Sequence, residues 1–164
     1  RIARIVLFAG FTAVGAQLAV RLPFTPVPLT LQTLFVVMAG IMLGPRDGFY
    51  AMASYLGMGL LGAPIFAGFT FGPAVLFGPT GGYLIAFPAA ALLAGSLAGS
   101  LGGGRFALFS SALSGSALIL VSGTLYLSLI TGTTLTSAAV AGMLPFAAGE
   151  VIKAVVAAAA GPRG

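Results

Sequence analysis

Six apolar stretches, set apart by charges and by clusters of proline and glycine, make up almost the whole chain. The first runs from Ile2 to Val20 and stops at Arg21. "RLPFTPVPLT" follows. Pro23, Pro26 and Pro28 lack an N–H and hold the residues before them extended, so this stretch reads as an extended loop. The second stretch runs from Leu29 to Leu43, "GPRDG" turns the chain, and the third runs from Phe49 to Leu61. Both are short against the roughly 20 residues that cross a bilayer as helix. "GAPIFAGFTFGPAVLFGPTGG" is apolar and aromatic but too rich in glycine and proline for one helix. A loop of about twenty residues in a compact protein points to function. The fourth stretch spans Tyr83 to Leu101, with "GGGR" as a turn after it, and the fifth spans Phe106 to Ile130. "TGTTLTS" reads as another turn before the sixth, Ala138 to Ala160, in which Pro145 either kinks the helix or delays its start.

The apolar runs are continuous and do not alternate in polarity, which excludes a membrane β-barrel and leaves helices as the spanning structure. Composition sharpens this. The chain is 59% hydrophobic and 5% charged, with mean hydropathy +1.16, against about 25% charged residues in a soluble domain. A surface so poor in charge cannot stay in water, so the expected fold is an all-α integral membrane protein. It is read as a six-transmembrane-helix bundle forming a single domain over residues 1–164. The basic start and the apolar run from Ile5 to Val20 have the order of a secretory leader, but the run is long for one and reads as a first span. Arg1, Arg4, Arg46, Arg105 and Arg163 fall on one side of a six-span arrangement and Arg21 alone on the other. This asymmetry predicts that both termini are cytoplasmic. The net charge of +5 therefore speaks to membrane orientation, with no call for a nucleic-acid partner. The chain has no Cys and no His, which removes disulfides, thiol chemistry, and the commonest general base and metal ligand.

Between Arg105 and Arg163 the only charged residues are Glu150 and Lys153, inside "LPFAAGEVIKAVVAAAAG". Three residues apart, they share one face of the sixth helix. A charge at mid-membrane costs about 2.5–3.5 kcal/mol on insertion scales, and intramembrane ionisable residues are functional by default. A neutralised structural pair and a polar ligand pocket both fit the spacing, and the pocket is preferred because the pair falls in the outer half of the helix. A carboxylate accepts hydrogen bonds and an ammonium pairs with an anion. Together they suit a small molecule with N–H donors and a carboxylate. Gln32, Thr33 and Tyr83, at the outer ends of the second and fourth helices, offer further hydrogen bonds. Phe66, Phe69, Phe71 and Phe77 fit either a lid over a pocket or a belt at the membrane surface. An ion or proton site at Glu150 in a small channel or secondary transporter is an alternative, although no internal repeat is visible. An intramembrane enzyme pairing Lys153 with a serine of the fifth helix (Ser110, Ser111, Ser114, Ser116 or Ser122) is the weaker alternative, because mid-helix serines usually bond back to their own backbone. No GxxxxGK[ST] motif occurs, and "GPTGGY" lacks the lysine, so the chain carries no such ATP site.

"PFTPVPLTLQTL", "GAPIFAG", "LFGPTGGYL" and "LPFAAGEVIKA" together resemble the biotin-specific S component of energy-coupling factor transporters, over Ala3 to Ala160. The resemblance implies a six-helix membrane fold that binds biotin near the outer face. It also implies partnership with a transmembrane coupling subunit and two ATPase subunits, with biotin as transported ligand and no cofactor or metal. The family pair on the last helix is Asp and Lys three apart; Glu150 and Lys153 hold those positions here, the acid one methylene longer. By resemblance the ureido N–H groups face Glu150, the valerate carboxylate faces Lys153, and the first loop and the loop after the third helix roof the site. Phe69 and Thr70 of that second loop are expected among the ligand contacts. Ala9 and Ala13, an AxxxA spacing on the first helix, are by the same resemblance expected to dock the coupling subunit.

Overall fold

The structure is a computed structural model and describes residues 1–162. It contains seven α-helices: α1 (Ile2–Gln17), α2 (Gln32–Leu43), α3 (Pro45–Leu60), α4 (Gly81–Ser100), α5 (Arg105–Thr131), α6 (Leu135–Gly142) and α7 (Leu144–Ala160). Glycine and proline set most boundaries. Gly44 leaves α2 at φ 87°, and Pro45 opens α3 at the position where its missing N–H is no loss. Gly132, left-handed at φ 64°, ends α5. The Thr134 hydroxyl accepts the Ser137 N–H at 3.2 Å and starts α6 inside the stretch read as a turn. The sixth apolar stretch is thus two helices that meet at Met143 with a bend of 47°. Pro145 lies in the first turn of α7, so it starts a new helix instead of kinking a continuous one.

The proline-rich loop is extended, and its ends pair. Strands β1 (Ala19–Val20) and β2 (Leu29–Thr30) run antiparallel, with Ala19 opposite Thr30 and Val20 opposite Leu29.

The outward faces are apolar. Val6, Leu7, Val14, Ile85, Leu92, Val121, Leu125 and Ile152 are all exposed. Such a surface matches lipid and not water, as expected of a membrane protein. Among the described residues α4 and α5 are each long and apolar enough to cross a bilayer, and α6 with α7 reach that length together across their bend. Helices α1 and α2 are apolar but shorter, with 16 and 12 residues.

Contacts between helix ends sort the chain into two ends. Arg1, Arg4, Arg46 and Arg105 lie in or beside the first turns of α1, α3 and α5, at one end. There Arg1 Nη2 pairs with Asp47 Oδ1 at 2.8 Å, and Arg105 donates to the Ala158, Ala159 and Gly161 carbonyls that end α7. Arg163 lies outside the described residues. Arg21 and the long loop lie at the opposite end.

Small residues bring the helices together. A Cβ added at Gly95 of α4 would stand 2.5 Å from the Gly40 carbonyl oxygen of α2, and one at Gly48 of α3 2.7 Å from Gly40 Cα. Lipid offers no hydrophobic drive between helices, so close backbone packing of this kind holds the bundle. Ala9 and Ala13 of α1 take part in this packing to different extents. Ala9 is fully buried in the core with Met52 and Tyr55, and Ala13 packs, half-buried, against that core.

Candidate functional site

A cavity of about 600 Å³ lies among the loop ends of α1, α2, α4 and α7. That size is ordinary for a small-molecule site, roughly 300–1,000 Å³. Its polar floor comes from three elements: Thr30 of β2, Thr33 of α2, and Glu150 and Lys153 one turn apart on α7. Both charges are buried, at 3% and 7% exposure. Lys153 Nζ donates to Glu150 Oε1 at 2.7 Å, to the Thr30 carbonyl at 2.7 Å and to Thr33 Oγ1 at 2.8 Å. Those three bonds use all three ammonium protons. Thr33 passes its own proton to Glu150 Oε1 at 2.8 Å. Glu150 Oε1 therefore accepts twice, whereas Glu150 Oε2 is buried without a partner. A buried carboxylate oxygen left unpaired is costly, and here it sits on a side chain that lines the cavity. The Glu150–Lys153 pair expected from spacing is present, joined by Thr33.

This geometry constrains the division of labour implied for the two charges. They are 2.7 Å apart, whereas the ureido ring and carboxylate of biotin lie at opposite ends of an alkyl chain. All three Lys153 protons are engaged within the chain itself.

The walls hold two more of the expected residues, with their polar atoms already engaged. Gln32 donates from Nε2 to the Tyr55 hydroxyl at 2.6 Å, and Tyr55 donates to the Ile65 carbonyl at 2.9 Å. Thr30 Oγ1 donates to Gln32 Oε1 at 3.1 Å. Tyr83 donates to the Gly142 carbonyl at 2.6 Å, tying α4 to the break between α6 and α7. Apolar side chains, among them Phe87, Ile119 and Phe146, complete the walls.

The roof is made by the two loops singled out from the sequence. Gln17, the last residue of α1, clasps the long loop. Its Nε2 donates to the Phe66 carbonyl at 3.0 Å, and its Oε1 accepts the Phe69 N–H at 3.0 Å. Phe69 is held at φ 58°, uncommon for a residue with a bulky side chain. Phe66 and Thr70 bridge across this turn, and Thr70 also lines the cavity. The four phenylalanines have separate placements. Phe66 is buried edge-on against Tyr55 at 5.6 Å, Phe69 is exposed and lines the cavity, and Phe71 and Phe77 are exposed away from it. Gln17, Arg21 and Tyr55 were not anticipated as part of this region. Gln17 and Arg21 carried a faint signal as the only long polar side chains near the end of the first apolar stretch.

None of the serines of α5 lines the cavity. Ser111 and Ser114 donate to the carbonyls four residues earlier, at 2.7 and 2.8 Å, and Ser122 donates to the Gly82 carbonyl at 2.9 Å. A Ser–Lys nucleophile at Lys153 is therefore not assembled.

Fold and site together define a membrane-embedded helical bundle with a small-molecule cavity at one end, floored by a buried ion pair. The BioY family matches residues 1–164, and the chain belongs to it, a family of transporters and not of enzymes. It is 43% identical to the probable biotin transporter BioY of Pyrococcus horikoshii over 93% of this chain and 88% of that one. It is 37% identical to the biotin transporter BioY of Thermotoga maritima over the same shares, 93% and 88%. A crystal structure of the S-component for biotin from an ECF-type ABC transporter superposes with a TM-score of 0.89 at 28% identity, covering 96% of this chain and 86% of that one.

Proposed function

We propose that this protein captures biotin at the outer face of the cytoplasmic membrane and serves as the substrate-specific subunit of an energy-coupling factor transporter. A transmembrane coupling subunit and two ATPase subunits drive the uptake. The observation that carries this reading is the unpaired, buried Glu150 Oε2 at the floor of the cavity. It awaits a hydrogen-bond donor, and the ureido group of biotin offers two N–H donors. Glu150 is the acceptor and Lys153 holds it in place, with Thr33 as the link. Gln32, Tyr83, Phe69 and Thr70 shape the walls and mouth around the ligand. A cation or proton site at Glu150 is the poorer reading, because the Lys153 ammonium already lies 2.7 Å from the carboxylate.

In this reading the chain is one transmembrane domain, crossing the membrane six times with both termini in the cytoplasm. Support comes from the gathering of Arg1, Arg4, Arg46 and Arg105 at the end away from the cavity. Binding of radiolabelled biotin to the detergent-purified chain is the direct test. Saturable binding displaced by unlabelled biotin is expected, and its absence ends the proposal. The orientation is tested separately with the variant Thr70→Cys, which should label from outside intact cells. Labelling from the cytoplasmic side alone would reverse it.

A further inference from the structure

Three charged side chains line the cavity: Arg21, Glu150 and Lys153. Glu150 and Lys153 neutralise each other through their 2.7 Å contact. All three protons of Lys153 are committed, to Thr30, Thr33 and Glu150. The charge left over is that of Arg21, so the cavity carries an excess of one positive charge. Arg21 directly follows β1 at the mouth. Its guanidinium reaches across to the other roof loop: a Cβ added at Gly68 would stand 3.1 Å from Arg21 Nη2. Yet Arg21 makes no hydrogen bond and no ion pair with any described side chain or carbonyl, in contrast with Arg1 and Arg105. A planar fork of N–H donors, unengaged and poised between two loops, is suited to bidentate capture of a carboxylate.

We propose that Arg21 receives the carboxylate end of the ligand at the mouth, while Glu150 Oε2 receives its N–H donors at the floor. This deepens the biotin reading and rests on it. The site then selects an elongated monoanion with hydrogen-bond donors at one end, a carboxylate at the other and an apolar middle. The donor end is read at depth by a buried acceptor. The acid end is read near water by an exposed cation, which also closes the mouth by pinning the ligand between the two roof loops.

The test compares equilibrium binding of biotin and of biotin methyl ester to the purified chain and to Arg21→Gln and Arg21→Lys. The native chain should prefer the acid over the ester by about tenfold or more, the usual worth of a charge-assisted hydrogen bond. Arg21→Gln should lose that factor for biotin and keep its affinity for the ester, so the preference disappears. Ester binding serves as the folding control. Arg21→Lys should retain part of the preference. A preference that survives Arg21→Gln, an equal loss for both ligands, or no preference in the native chain overturns the role of Arg21. A native chain that binds neither ligand instead refutes the biotin reading itself.

Discussion

At the end of the bundle that carries Arg1 and Arg105, the helices meet backbone to backbone. At the other end α1, α2, α4 and α7 part around a cavity, while α4 and α5 stay close at Gly82 and Gly123. Gly40, Gly48 and Gly95 leave no room for a single added carbon in the first region. In the second, Tyr55, Phe66, Phe87 and Phe146 face or support open volume. The charges divide in the same way. At the packed end Arg1 pairs with Asp47 and Arg105 caps the carbonyls that close α7. At the cavity end a carboxylate and an ammonium are buried and depend on each other. A close-packed half thus fixes the helix positions, and the open half can afford a void and an unpaired carboxylate oxygen without collapsing onto them.

The sharpest way to break this contrast is to open the packed half. Gly95→Leu puts a side chain where the three nearest atoms to the added Cβ are backbone atoms of Gly40 and Pro45, which cannot swing aside as a side chain could. The expected outcome is loss of monodisperse protein on size exclusion in detergent, beyond the roughly 1–3 kcal/mol typical of overpacking. Gly57→Leu is the control, since nothing lies within 4 Å of its added Cβ, and it should purify normally.

Next in size is Lys153→Met, which leaves Glu150 buried without its ammonium and with Thr33 as its one remaining donor. Removing one member of a buried pair costs about 3–5 kcal/mol, read as a lower thermal midpoint in detergent. The double variant Lys153→Met with Glu150→Gln should recover most of that stability and still fail to bind biotin. Recovery of binding in the double variant would show that the pair serves only the fold. Glu150→Gln alone is gentler. It keeps an oxygen for Lys153 but replaces one carboxylate oxygen by an amide nitrogen, a donor facing donors. Biotin affinity should fall more than tenfold, at a stability cost of about 1–3 kcal/mol.

How much of this was legible beforehand follows the same division. The ends of α2, α4 and α5 lie within a few residues of the expected limits, because Gly44, Gly102 and Gly132 punctuate them locally. Glu150 and Lys153 stood out as the only charges in a long apolar run, and i, i+3 spacing is enough to place them together. The split at Met143 was half-visible in Pro145, but the cap that starts α6 is one threonine among several and looks like turn sequence. For Ala9 and Ala13, spacing says that two residues share a face and not how deeply each is buried: Ala9 is buried and Ala13 half-buried. Gln17 escaped because its partners, Phe66 and Phe69, are about fifty residues away, and no local pattern encodes such a clasp. Arg21 was visible as a charge, but its importance depends on Lys153 being saturated, which only three-dimensional geometry reveals.

The smallest effect expected concerns Tyr83, which lines the cavity but points its proton elsewhere. Its hydroxyl donates to the Gly142 carbonyl at 2.6 Å, at the bend where the chain passes from α6 to α7. Carbonyls near a helix break lose their usual partners: the Phe146 N–H, four residues on from Gly142, donates to the Met143 carbonyl instead. Tyr83 therefore acts as a brace between α4 and the start of α7, two turns before Glu150 on the same helix. Tyr83→Phe keeps the ring against the cavity and removes only this bond, worth about 0.5–1.5 kcal/mol. The thermal midpoint should fall by a few degrees in detergent, and biotin affinity should change less than threefold. A tenfold or larger loss of affinity with an unchanged midpoint would mean that the hydroxyl turns from Gly142 to the ligand on binding. Tyr83 would then belong with Glu150 among the groups that hold biotin and not with the frame that positions them.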